Sequence, residues 1–192
     1  MKMKNKAYPI FCIIGPSGSG KNEICKRLPL KEVVSYKTRP IREGEVDGVA
    51  GHFITQSAFK RILDKMIVYT EYHNHLYGIT QGEILGLEEA PMTYVIDYES
   101  YVRFKENIKK LEGYEEQEVY SIFIDVDPTD LEYRLRNRSG STPEFVEARM
   151  NRYEFDTRYK TECDLVVKNP QGKIVEPLLQ ILEFVYKVSG VE

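Results

Sequence analysis

The segment with the most specific chemistry is residues 15–22, which read Gly-Pro-Ser-Gly-Ser-Gly-Lys-Asn. The spacing matches G-x-x-x-x-G-K, in which glycines let backbone N–H groups converge on phosphate oxygens and a lysine adds a positive charge. An apolar run, residues 8–14, precedes the loop and helix signals follow it, which favours a nucleotide-phosphate site over a plain glycine turn. The residues expected to bind the nucleotide are Gly15, Pro16, Ser17, Gly18, Ser19, Gly20, Lys21 and Asn22.

The last position of this loop bears on metal binding. A Ser or Thr hydroxyl that coordinates Mg²⁺ usually follows the lysine, and here the residue is Asn22. An amide oxygen can also coordinate Mg²⁺, but from a bulkier group on a longer stem. Asn22 is therefore a candidate magnesium ligand, and a reduced magnesium affinity or an altered coordination geometry is an open alternative.

Strand and helix signals alternate along the chain. Strands are predicted at 8–14, 33–36, 67–71, 93–97, 120–125 and 164–168. Helices are predicted after Gly20 and at 56–65, 98–111, 128–137, 143–158 and 173–187. This alternation predicts a three-layer α/β fold of the P-loop NTPase type, a parallel sheet with helices on both faces. Two polar, turn-rich segments, 37–52 and 138–143, are predicted to be mobile loops that close over a substrate.

Length and composition place the chain among ordinary globular proteins. Its 192 residues, with 42% hydrophobic and 30% charged side chains, suit one compact domain. The formal net charge of −3 argues against nucleic-acid binding, so anionic ligands would have to be bound by local basic clusters. Arg136 and Arg152 are expected to be exposed helix residues. The basic clusters comprise Lys37, Arg39 and Arg42, then Arg134, Arg136, Arg138, Arg149 and Arg152.

The three cysteines and the apolar runs indicate the cellular compartment. Cys12, Cys25 and Cys163 form no metal-ligand spacing and are expected to be reduced core thiols. The apolar run after the basic start is too short for a secretion signal and ends in the glycine loop. No long apolar stretch predicts a membrane span, so a cytoplasmic location is expected. Homo-oligomer formation stays open.

Beyond the loop, several segments resemble guanylate kinases in the same order and at similar spacing, over most of the chain. The most specific is residues 34–48, Val-Ser-Tyr-Lys-Thr-Arg-Pro-Ile-Arg-Glu-Gly-Glu-Val-Asp-Gly; others are Leu-Tyr-Gly at 76–78 and the strand that ends at Asp97. The resemblance implies that Ser35 and Glu99 lie at the acceptor's base and that Tyr77 contacts its phosphate. The implied substrate-binding set is Ser35, Arg39, Arg42, Glu45, Tyr77 and Glu99.

The same resemblance implies a donor site and a lid. Asn169 would lie near adenine, and Asp97 would serve Mg²⁺ through water, although a carboxylate at that position could equally cap a helix. The expected domain is a core of residues 1–34, 91–137 and 159–192, an acceptor-binding insert at 35–90 and a lid at 138–158. The residues expected to surround the migrating phosphoryl group are Lys21, Arg39, Arg42, Arg134, Arg138 and Arg149.

The implied activity is ATP- and Mg²⁺-dependent phosphorylation of GMP to GDP, but three residues of the acceptor pocket depart from the family pattern. Gly51 replaces a tyrosine that contacts the acceptor phosphate, Val68 a glutamate that pairs with guanine, and Ile79 a small hydroxyl residue. Losing polar partners for a buried base would weaken guanine preference. A register shift of one to three positions could restore part of the pocket through His52, Glu71 and Thr80, but it is not assumed. Ribose bisphosphate phosphokinases, which share the core, also lack that glutamate. Another nucleoside monophosphate or a ribose bisphosphate is therefore an alternative acceptor, and a non-catalytic binding module a further alternative.

Overall fold

A computed structural model of the chain describes residues 7–72, 74–85, 87 and 89–190. Its central sheet contains five described strands in the order β2-β7-β1-β8-β9, and every neighbouring pair is parallel. The extreme ends assigned to the expected core, 1–6 and 191–192, lie outside the described residues. The strands of this sheet are β1 (Ile10–Ile14), β2 (Lys31–Glu32), β7 (Met92–Val95), β8 (Val119–Asp125) and β9 (Leu165–Lys168).

A second, mixed sheet stands beside the first. Its order is β4-β3-β6-β5, with β3 parallel to β4 and antiparallel to β6, and β5 antiparallel to β6. This second sheet lies within the expected acceptor insert. Its strands are β3 (Tyr36–Lys37), β4 (His52–Phe53), β5 (Met66–Tyr72) and β6 (His75–Thr80).

Helices connect these strands, and most begin at residues that satisfy free backbone N–H groups. The side chains of Asp97, Asp127 and Thr142 accept hydrogen bonds from the first turns of α3, α4 and α5. Short 3₁₀ turns lie at Leu63–Lys65, Gln81–Ile84 and Lys160–Glu162. The helices are α1 (Lys21–Arg27), α2 (Gln56–Lys60), α3 (Tyr98–Ile108), α4 (Pro128–Arg136), α5 (Pro143–Met150), α6 (Tyr153–Thr157) and α7 (Val175–Ser189).

Strand β1 explains why the central sheet is covered on both faces. Its residues are all buried, and alternate side chains point to opposite faces. Ile10 and Ile14 join a cluster that contains Phe104 of α3, whereas Phe11 joins one that contains Ile181 of α7. The three-layer α/β architecture predicted from the alternation is confirmed.

Several predicted boundaries are wrong. The single strand expected at 33–36 is instead a crossing between sheets: the N–H of Val33 still donates to Thr93 O of β7, whereas Ser35 O accepts from His52 N of β4. The helix expected at 56–65 ends at Lys60, and the one at 143–158 is interrupted between Met150 and Tyr153. Strands β4 and β6 had no prediction.

The cysteine prediction agrees with the structure. Cys12 and Cys25 are buried, Cys163 is half-buried, and all three are free thiols. Among the helices of the described residues, none has the length and apolar character needed to cross a membrane.

Candidate active site

A cavity of about 920 Å³ opens between the carboxyl ends of the central strands and the second sheet. Ligands of parallel α/β sheets bind outside these strand ends. The predicted site residues that line it are Gly15, Ser17, Lys21, Asn22, Ser35, Arg39, Arg42, Tyr77, Asp97, Glu99, Arg138 and Arg149. Those outside its lining are Pro16, Gly18, Ser19, Gly20, Glu45, Arg134 and Asn169.

The glycine loop leaves the end of β1 and turns into α1. Gly20 has φ 93°, which suits a residue without Cβ, and a Cβ there would lie 2.6 Å from Asn169 Nδ2. The Lys21 ammonium folds back over the loop and donates to Gly15 O at 2.7 Å and Pro16 O at 2.9 Å. Burial, together with nearby Arg149 and Arg138, lowers the pKa of Lys21 to about 8. The loop thus presents a cation at the cavity wall.

Two predicted site residues outside the cavity lining donate hydrogen bonds to this loop. Asn169 Nδ2 and Arg134 Nη1 both donate to Ser19 O, at 2.8 and 3.2 Å. Arg134 also donates to Asn169 O at 2.7 Å and to Gln171 Oε1 at 2.8 Å. Its donors are therefore directed at protein oxygens, and the structure does not bring Arg134 among the cavity-lining arginines as the sequence predicted.

In the acceptor half, Arg39 is held by a buried ion pair. The side chain is only 7% exposed, and its two terminal nitrogens donate to the two oxygens of Glu45 at 2.5 and 2.6 Å. Burial alone would raise the pKa of Glu45, but the hydrogen bond from Arg39 and that from Arg42 N lower it to about 2. Glu45 was predicted to bind substrate; it lies outside the cavity lining and orients Arg39 instead.

Ser35, Arg42 and Tyr77 line the same half of the cavity. Burial raises the pKa of the Tyr77 hydroxyl, and Arg39 and Arg42 act against this shift, so both cations lie near it. Val68 also lines the cavity, whereas Ile79 is fully buried in the core and lies outside the lining. Of the two apolar departures from the family pattern, only Val68 faces the cavity.

The expected lid supplies three arginines. Arg138 and Arg149 line the cavity, and Arg149 donates to the Tyr72 hydroxyl and lies over the Phe145 ring at 5.0 Å. Arg152 was predicted to be an exposed helix residue; its side chain is 40% exposed, but it also lines the cavity and stacks over Tyr72 at 5.1 Å.

Arg136 is exposed, as predicted. Its guanidinium pairs with Glu132 one helical turn away, at 2.5 Å. The ion pair lies on the surface of α4 and is therefore separate from the cavity.

Two carboxylates after β7 complete the cavity wall, Asp97 just before α3 and Glu99 within it. Asp97 caps α3, accepting from Ser100 N at 2.9 Å, and also lines the cavity, so the two interpretations of this residue are compatible. Glu99 pairs with Arg158 at 2.5 Å at the cavity edge.

Asn22 and Asp97 offer hard oxygen donors, which fit Mg²⁺, an ion that keeps several waters and uses few protein ligands. Within the described residues no group of three or more acidic, His or Cys side chains forms a metal cage.

Comparison with known proteins identifies the chain. The family model described as guanylate kinase matches residues 8–184. The chain belongs to the guanylate kinase family. The guanylate kinase of Brucella melitensis is 31% identical over 169 residues, covering 82% of this chain and 73% of the relative. That of Rickettsia typhi is 29% identical over 193 residues, covering 95% and 93%.

A solved structure supports the fold assignment. The guanylate kinase of Anaplasma phagocytophilum aligns with a TM-score of 0.71 at 21% identity, over 96% of this chain and 87% of that one. The family model and the relatives confirm the family expected from the motifs, and the chain is an enzyme of the P-loop kinase type.

Among the cavity residues of this guanylate kinase family member that the sequence-based site omitted is a cation of the acceptor half. Lys37 lines the acceptor half beside Arg39. A signal was present, because residues 37 and 39 of an extended segment project from the same face. The lysine was noted only as part of a basic cluster.

Proposed function

We propose that this chain transfers the γ-phosphoryl group of ATP to the phosphate of GMP, giving ADP and GDP. One observation carries the proposal: cations from three parts of the chain converge on one cavity. Burial lowers the pKa values of Lys21, Arg42 and Arg149, and neighbouring cations lower them further. Arg138 lowers the pKa values of Lys21 and Arg42, and Arg42 lowers that of Arg149. Like charges this close suit a highly anionic ligand pair.

On the donor side, the loop from Gly15 to Lys21 would bind the phosphates of ATP, and Asn169 would lie near the adenine. Asn22 and Asp97 would hold Mg²⁺. Bound there, the ion would neutralise charge on the phosphate oxygens. Lys21 would add a further positive charge from the loop itself.

On the acceptor side, Arg39, Arg42 and Tyr77 would bind the GMP phosphate, and Ser35 and Glu99 would lie near its base. Arg39 suits this task because Glu45 already fixes its guanidinium plane. With both nucleotides in place, an acceptor phosphate oxygen attacks the γ-phosphorus and the bond to the β–γ bridging oxygen breaks, releasing ADP. No side-chain nucleophile is required.

The lid would act on the migrating group. Arg138 and Arg149 would neutralise charge as the bond to ADP lengthens, and closure of residues 138–158 and of the insert at 35–90 would exclude water. We further propose a cytoplasmic location, supported by the three free thiols, which suit a reducing compartment. Small-molecule nucleotides are the proposed partners.

An acceptor panel tests this function. ADP release from Mg·ATP is followed by a coupled assay with GMP, dGMP, AMP, CMP, UMP and ribose phosphates, and with water alone. GMP is expected to give the highest kcat/KM. Because Val68 faces the cavity, a faster alternative acceptor would show that the GMP assignment is wrong while leaving the kinase intact. ADP formation that no acceptor stimulates would overturn the kinase proposal itself.

A further inference from the structure

The acceptor half of the cavity contains a cation to which the proposed function gives no role, Lys37. It lies two residues before Arg39 and lines the same cavity. Both side chains lie over one aromatic ring, with Lys37 Nζ 5.9 Å and the Arg39 guanidinium carbon 5.1 Å from the centroid of Phe53. The lysine is thus placed beside a residue that binds the acceptor phosphate in the proposed function.

Gly51 makes room for this lysine. A Cβ at position 51 would lie 2.7 Å from Lys37 Cδ, 2.9 Å from Cε and 3.1 Å from Nζ. Gly51 is not among the glycines with positive φ, so its backbone conformation does not demand glycine. The ammonium also donates to Ala50 O, next to the glycine. Glycine at 51 therefore leaves room for the lysine in this position, and a Cβ there would displace the flexible end of the lysine side chain.

The charges around Lys37 suit an oxyanion. Burial and then Arg39 lower its pKa, Glu32 and Glu45 act in the opposite direction, and Arg42 lowers it again. The carboxylate of Glu45 already accepts from Arg39 and from Arg42 N. An ammonium has three donors, and Ala50 O takes one of them. The described residues supply one acceptor, so two donors are left for a ligand in the cavity that Lys37 lines.

We propose that Lys37 binds the phosphate of the acceptor nucleotide as a third cation beside Arg39 and Arg42, and that Gly51 is required to admit it. This inference rests on the proposed function and deepens it. The departure from the family pattern at Gly51 is then an exchange of one phosphate donor for another, because the lysine occupies the space that a larger residue at 51 would need.

The test compares ligands that differ only in the phosphate. Calorimetry measures GMP and guanosine binding to the full chain, with the donor site saturated by a non-hydrolysable ATP analogue. In Lys37→Met, GMP affinity is expected to fall roughly tenfold to hundredfold, the range for a lost hydrogen bond to a charged group, with guanosine affinity unchanged. The matched control is Lys60→Met on α2, an exposed lysine outside the cavity lining. Unchanged GMP affinity, or an equal loss for guanosine, would overturn the role of Lys37.

A second variant tests whether the effect of Gly51 on GMP binding depends on Lys37. Gly51→Ala should displace the lysine and weaken GMP binding in the wild-type background, but add little in Lys37→Met, because the methionine that it displaces carries no ammonium to bind the phosphate. If Gly51→Ala lowered GMP affinity equally in the wild type and in Lys37→Met, the link between positions 37 and 51 would be contradicted. If GMP is not a substrate, the proposed function fails on its own, and the same comparison with the best acceptor and its dephosphorylated form still tests Lys37.

Discussion

The donor and acceptor halves of the cavity are built from different parts of the chain. The donor half is mostly main chain: a glycine loop whose Ser19 carbonyl is held by Asn169 and Arg134. The acceptor half is mostly side chains, with Arg39 fixed by Glu45 and Lys37 lying against Gly51. A main-chain site tolerates few changes in sequence, whereas side-chain donors can be exchanged. The glycines and the lysine of the loop accordingly keep the family pattern, and the departures lie at side-chain positions, Asn22 in the loop and Gly51 and Val68 around the acceptor.

The largest expected effect is in the donor half. Lys21→Met removes the cation of the loop, and kcat should fall by about 10²–10³-fold, the usual cost of one donor to developing charge. Steady-state kinetics with Mg·ATP and GMP measures it, and Arg136→Ala, which breaks only a surface pair, serves as the control. If the kcat of Lys21→Met stayed within about threefold of the wild-type value, Lys21 would have no role in the mechanism.

A glycine pair tests whether the donor half depends on its backbone. Gly20 and Gly113 have similar φ values, 93° and 89°, but only a Cβ at Gly20 meets a neighbour, Asn169. Gly20→Ala should therefore cost about 1–3 kcal/mol of unfolding free energy beyond Gly113→Ala. Urea unfolding gives both values. Equal destabilisation would show that contact with Asn169 does not constrain the loop.

In the acceptor half, Glu45→Gln should raise the KM for GMP about tenfold, because Arg39 loses the charged partner that fixes its plane, with the KM for ATP unchanged. Stability should change with pH as well. The pKa of Glu45 is lowered from 4.5 to about 2, so its contribution is present above pH 4.5 and lost as the pH falls toward 2. In Glu45→Gln, the free energy of unfolding should not show this loss at acid pH. A parallel rise in the KM for ATP would contradict the separation of the halves.

The smallest effect is a pH dependence of the donor half. Lys21 of the free protein loses its charge near pH 8, so kcat/KM for ATP should fall to about half its plateau value there and decline further above it. The kcat profile should fall at higher pH, because bound phosphates favour the charged lysine. Lys21→Arg should abolish the alkaline fall in kcat/KM in whatever activity it retains. An unchanged fall in this variant would assign the titration to another group.

The sequence predicted the donor half better than the acceptor half for physical reasons. The glycine loop is a local pattern, and the strand before it is a continuous apolar run, so both were found. The crossing at residues 33–35 depends on pairing with β4, which is too short to give a signal. The cavity position of Arg152 was missed because it depends on Tyr72, eighty residues away in the chain and in contact only after folding. Contacts of this kind leave no trace in local spacing.

The most direct test of a single cavity that binds both nucleotides uses one ligand that occupies both halves. Adenosine and guanosine joined 5′ to 5′ through five phosphates should bind, by calorimetry, with a Kd at least about 100-fold below that of ATP, because the second nucleotide binds intramolecularly. Lys21→Met and Lys37→Met should each remove part of this gain. Affinity no better than that of ATP alone would contradict the account, since the two halves would then not bind their ligands together.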